Sequence, residues 1–121
     1  MPAIPEWRAV ADEDRAVAQL AADAGRWNAA CFHAQQAAEK YLKAVFERQH
    51  LAVPRSHDRE YLCEQRQGTG LPVADIAEPA EVLTAYGVDA RYPGFATDQD
   101  EAEQALVMME RVVRWAQQRL D

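Results

Sequence analysis

The chain has 121 residues and sets 13 lysines and arginines against 20 aspartates and glutamates, for a net charge of −7. That length suits one domain with its own core and is too short for two ordinary ones. The acidic balance argues against a broad electrostatic footprint for nucleic acid or anionic lipid, though not against a small basic pocket.

A first helix is predicted over about 6–24. Pro5 stands at its entry, Trp7, Val10, Val17, Leu20 and Ala21 recur at helical spacing, and Gly25 breaks it. A second helix is predicted over about 27–49. Phe32, Leu42, Val45 and Phe46 supply its bulk, while Ala29, Ala30, Ala34, Ala37 and Ala38 supply little, so neighbouring helices can come close. Its apolar pattern covers more than half the circumference, which marks a central helix with Cys31 as a buried thiol. In LAVPRSHD, Pro54 ends that pattern and Ser56 or Asp58 can cap a short third helix over about 57–67, with Tyr61, Leu62 and Cys63 as its apolar content. QGTGLP reads as a loop. A weaker helix over about 79–88 would turn Val82, Leu83 and Tyr86 inward. After the loop DARYPGFATDQDE, Asp98 and Glu101 form a capping pair for a last helix running to about 120. Its stripe is Ala102, Ala105, Leu106, Met109, Val112, Val113, Ala116 and Leu120. No period-2 strand of useful length and no repeat is present, so the expected fold is all-α, an up-and-down helical bundle of four to five helices in one domain over 1–121.

Two cysteines far apart, outside metal-ligand spacing, do not make a disulfide scaffold and fit a reducing cytoplasm. The opening MPAIPEWRAVADEDR lacks the layout of a signal peptide, and no apolar run approaches the roughly 20 residues of a membrane span. There is no Gly-rich phosphate loop, zinc-ligand spacing or Ser-centred nucleophile elbow, so no metal and no cofactor is expected. Glu101, Glu103 and Glu110 are expected on the solvated side of the last helix. Glu39 and Lys43 stand at i, i+4, the favourable order for a helix salt link worth roughly 0.2–0.5 kcal/mol. Lys40 and Lys43 share a helix edge and could instead take an anion as point charges. His57 lies near a helix start, where it either joins the capping turn or serves a site. Tyr92 precedes Pro93 and is stiffened toward extended geometry. Arg91, beside that turn, can cap carbonyls or reach a phosphate.

FHAQQAAEKYLKA at 32–44, PRSHD at 54–58 and ARYPG at 90–94 resemble, in order and spacing, the signature segments of stand-alone prokaryotic HEPN-domain proteins. WRAVADEDRAVA is similar to the start of that family. The resemblance implies a helical bundle, commonly a homodimer formed through long helices. It also implies a nucleotidyltransferase-domain protein as partner, often in a toxin–antitoxin pair. Some members are metal-independent ribonucleases with an Arg-x(4–6)-His motif at the front of the last long helix. Arg91 matches that arginine, but Phe95 to Asp98 include no histidine, and without an imidazole there is no obvious general acid or base. The Arg26/His33 spacing falls in the wrong segment and reads as coincidence. Arg59 stands where the family usually has leucine, so the third helix is expected to be more exposed.

Glu39, Lys40, Lys43 and His57 match the family's polar positions. With Arg91 and Tyr92 they form the candidate cleft, Glu39 orienting a cation while Lys43 and Arg91 face an anion. The function expected is binding of a nucleotide or an RNA end, in partnership with a nucleotidyltransferase. The alternatives are a diverged ribonuclease toxin, which lacks its histidine, and a purely structural adaptor. Long RNA is gripped mainly through phosphate contacts, and scattered basic residues outnumbered by acidic ones favour a small ligand or a protein partner.

Overall fold

Small side chains decide how the first two helices meet. The computed structural model describes residues 3–49, 73–87 and 93–121. Within them α1 (Ile4–Asp23) and α2 (Trp27–Arg48) form an antiparallel hairpin. Gly25, at φ 73°, makes the reversal, a conformation that costs other residues strain. The Gly25 N–H donates to the Ala22 carbonyl and the Arg26 N–H to the Ala21 carbonyl, which satisfies the last turn of α1. Ala11 and Ala18 on α1, and Ala30, Ala34, Ala37 and Ala44 on α2, are all fully buried. With only a methyl group at each position the helices can pack closely.

That packing corrects the expected stripe of α1. Val10 is 40% exposed and Leu20 67%, whereas the inward face holds Ala11, Asp14 and Ala18. The bulkier residues stay outside because the inner face is built for close approach and for one carboxylate. On α2, Leu42, Val45, Phe46 and Cys31 are buried as expected, while Ala29 is exposed and Phe32 only half-buried, edge-on to the His33 ring.

A 3₁₀ turn (Val73–Ile76) leads into α3 (Ala77–Thr84). This helix begins two residues before Pro79, which lacks the N–H that a first turn leaves unused, and ends short of the expected 88. Leu83 and Tyr86 are nonetheless buried. The last helix, α4 (Gln99–Leu120), starts at Asp98, whose side chain accepts from the Glu101 N–H at 2.8 Å. The Glu101 carboxylate accepts from the Tyr86 hydroxyl at 3.3 Å, and Glu110 is held by the Arg15 guanidinium at 2.7 and 2.9 Å, so neither is simply solvated. Met108 and Trp115 join the expected stripe in the core. The described residues contain no strand, and the chain is an all-helical bundle in which α2 packs against α1, α3 and α4. The helix expected over 57–67, with Ser56, Asp58, Arg59 and Cys63, lies outside the described residues.

Burial leaves two groups as neutral acids. Desolvation pushes the Cys31 thiol up to about 11, with the Thr97 hydrogen bond opposing it and the Glu101 and Asp98 charges adding to it. Desolvation likewise pushes the Tyr86 phenol up to about 12, reinforced by Cys31 and Glu101. An unfolded chain releases these protons near pH 8.5 and 10. The folded state holds them longer, so their contribution is complete below about pH 8.5 and is lost as pH rises through the folded values. The urea midpoint should therefore fall between about pH 8 and 11, and Cys31→Ala should flatten the first part of the fall. A midpoint independent of pH over that range would contradict this.

Candidate functional site on the seam between α1 and α2

Residues 33, 40 and 43 project from one side of α2 because seven residues are close to two helical turns and three lie within one. Asp14 of α1 enters this side at only 9% exposure. Its Oδ1 is 2.8 Å from His33 Nδ1, and its Oδ2 accepts from Lys40 Nζ at 2.5 Å. A carboxylate acceptor requires the hydrogen on Nδ1, so the neutral ring keeps Nε2 as its acceptor. One turn away, Lys43 Nζ lies 3.3 Å from Glu39 Oε1 and 5.3 Å from the centre of the Trp7 ring. Glu39 is 1% exposed, and its other oxygen is 3.4 Å from the Gln35 amide, which in turn accepts from Gln36 at 2.7 Å. Toward α4, Tyr41 donates to Asp12. Its phenol is pushed up, first by burial and then by that carboxylate.

The seam thus brings Glu39, Lys40 and Lys43 together. The Glu39–Lys43 link forms, and each ammonium is also positioned by a carboxylate. An ammonium has three donors, and the contacts of Lys40 and Lys43 among the described residues engage one oxygen each. What remains is two oriented, partly solvated cations beside an imidazole. His57, Arg91 and Tyr92 lie outside the described residues. Asp14 escapes sequence reasoning because an aspartate on an alanine face has no signal apart from its partners. His33 takes its carboxylate partner from α1.

A second polar cluster sits at the opposite end of α2. Asn28 Nδ2 donates to the Phe95 carbonyl at 2.6 Å, and its Oδ1 accepts from the Thr97 N–H at 2.9 Å and from the Thr97 hydroxyl at 2.6 Å. Phe95 lies edge-on to Tyr86 at 6.5 Å. Phe95 and Thr97, within the segment 95–98 that holds no histidine, are therefore pinned to the first turn of α2. Lys43 is fifteen residues further along, about 22 Å at the helical rise. An open depression of about 450 Å³ lies at this end, lined by Gly25, Arg26, Trp27, Asn28, Ala29, Ala96 and Thr97. It lies apart from the lysine seam. Among the described residues no group of three metal-ligating side chains gathers, and no helix is long and apolar enough to cross a membrane.

The HEPN domain family matches residues 4–120. TT1696 from Thermus thermophilus shares the fold with a TM-score of 0.84 at 28% identity, covering 98% of this chain and 99% of that one. ST0689, an archaeal HEPN homologue, gives a TM-score of 0.81 at 25% identity over the whole of both chains. No curated protein matches. With the match running from the first turn of α1 to the last residue of α4, the chain belongs to the HEPN-domain family.

Proposed function

We propose that this HEPN domain binds a nucleotide or an RNA end without cleaving it, and serves as partner to a nucleotidyltransferase-domain protein. The observation that carries the reading is the pair Lys40 and Lys43, set side by side on α2 and oriented by Asp14 and Glu39. Positioned cations with donors to spare suit a phosphate group, and holding them in place beforehand reduces the ordering that binding would otherwise require. The carboxylates keep the seam close to neutral, which suits a small anionic group better than a long polyanion. The sequence offers no imidazole at 95–98, so the reading assigns no general acid or base to that segment.

Titration calorimetry with ATP and with a short RNA tests this. Binding to the unmodified chain is expected, with affinity lower by about tenfold in Lys40→Gln, the loss of one charge-assisted contact. A helical spectrum identical to wild type would show that the variant keeps its fold. Equal affinities would remove the seam as the site, and no binding of either ligand would remove the reading.

A further inference from the structure

One group on the lysine seam has the opposite hydrogen-bonding sense to the two ammoniums. His33 Nδ1 lies 2.8 Å from Asp14 Oδ1, and the His33 side chain is 29% exposed. A carboxylate accepts and does not donate, so the hydrogen of the neutral ring stays on Nδ1 and the lone pair on Nε2. The Phe32 ring stands edge-on, 5.2 Å from the imidazole with 77° between the planes, so the ring is held from two directions. Among the described residues nothing donates to Nε2. Lys40 Nζ sits on the other oxygen of the same carboxylate at 2.5 Å. The cation and the imidazole are therefore neighbours, separated by the width of one carboxylate.

We propose that His33 Nε2 accepts a hydrogen bond from a ribose hydroxyl of the ligand whose phosphate meets Lys40 and Lys43, so that the seam distinguishes a ribose from a sugar that lacks its hydroxyls. The inference rests on the nucleotide reading above and adds the sugar to it. Asp14 is then a positioning residue for both halves of the ligand, aiming the ammonium of Lys40 at the phosphate and the lone pair of His33 at the sugar.

The choice of a hydroxyl follows from what each group can do. An ionised phosphate offers oxygens that accept, and an oxygen lone pair set against the lone pair of Nε2 is repelled. Whatever meets Nε2 has to bring a donor. In a nucleotide the sugar is joined to the phosphate and the base lies beyond the sugar, so the ribose hydroxyls are the donors closest to the phosphate. Lys40 and Lys43 cannot take that hydrogen, because an ammonium has no acceptor. Nor is His33 needed to balance the charge of Asp14, since Lys40 already does so. A histidine present only to cover the carboxylate would give the seam no preference among sugars.

Titration calorimetry of the full chain with ATP, with its 2′,3′-dideoxy analogue and with tripolyphosphate tests this. All three should bind, ATP about fivefold more tightly than the dideoxy nucleotide, the loss expected for one hydrogen bond at a partly solvated site. His33→Phe keeps a ring beside Phe32 but has no acceptor, and should bring the two nucleotides to equal affinity. His33→Gln, whose amide can donate to Asp14 and turn its oxygen outward, should keep part of the preference. The comparison in the unmodified chain needs no variant, so it decides even where a substitution disturbs the fold. Equal affinities of the unmodified chain for the two nucleotides, with tripolyphosphate bound, would overturn this inference and leave the lysine reading standing. A preference undiminished in a folded His33→Phe variant would also overturn it, assigning the hydroxyl to another group. No binding of any of the three would remove both.

Discussion

Lys43→Met should destabilise the domain by about 3–5 kcal/mol, the largest effect expected at the seam. Glu39 is 1% exposed and the Lys43 side chain 13%, so this link is far more desolvated than a helix-surface pair. Removing the ammonium leaves a buried carboxylate without that counter-charge, and the methionine stem, though it fills the space, offers nothing in return. The hydrogen bond from Gln35, at 3.4 Å, is long and does not replace a charge. Replacing both partners by apolar residues, Glu39→Leu with Lys43→Met, should cost much less than the sum of the single changes, because the charge to be solvated is gone. Lys40→Met should cost only about 1 kcal/mol. Lys40 is 26% exposed, and Asp14 keeps His33. Urea denaturation of the three single variants and the double variant measures all of this. A Lys43→Met variant as stable as wild type would contradict this and mean that Glu39 does not depend on Lys43 for its counter-charge.

Asn28→Ala should cost about 2–3 kcal/mol. One amide side chain satisfies the Phe95 carbonyl, the Thr97 N–H and the Thr97 hydroxyl. Alanine leaves all three to find water at a part-buried position, and the segment entering α4 loses its attachment to α2. Asn28→Asp should fall between the two, since it keeps the acceptor for Thr97 but sets a carboxylate against the Phe95 carbonyl. Hydrogen exchange at the Thr97 amide gives a local reading. The amide is expected to exchange much faster in Asn28→Ala, while amides in the middle of α2 change only with global stability. Unchanged protection at Thr97 would contradict the clamp.

The helices were legible because their signals are local. Gly25 marks the reversal, Asp98 the start of α4, and the apolar spacing from Ala102 to Leu120 the face that α4 buries. The inward face of α1 was not legible. Valine and leucine outweigh alanine in any pattern of hydrophobicity, yet the alanines went inside because α2 is itself rich in alanine and lets α1 approach closely. The same approach brings Asp14 to His33 and Lys40, residues 19 and 26 positions away in sequence. The Glu39–Lys43 link was visible as a spacing within one helix, but its burial depends on the surrounding bundle and was not. Asn28 gave no signal, because an asparagine in a first turn looks the same whether it faces water or holds a segment 67 residues away. Charges within α4 can be read from sequence alone, but which of them stay exposed became clear only once the bundle was assembled.

The central claim is binding without cleavage, and the most direct measurement is gel analysis of a short RNA incubated with the protein at concentrations where calorimetry detects the complex, with and without a metal chelator. Intact RNA in both lanes, alongside measurable binding, is the expected result. Cleavage that survives chelation would contradict the account and make His33 and His57 the first residues to replace.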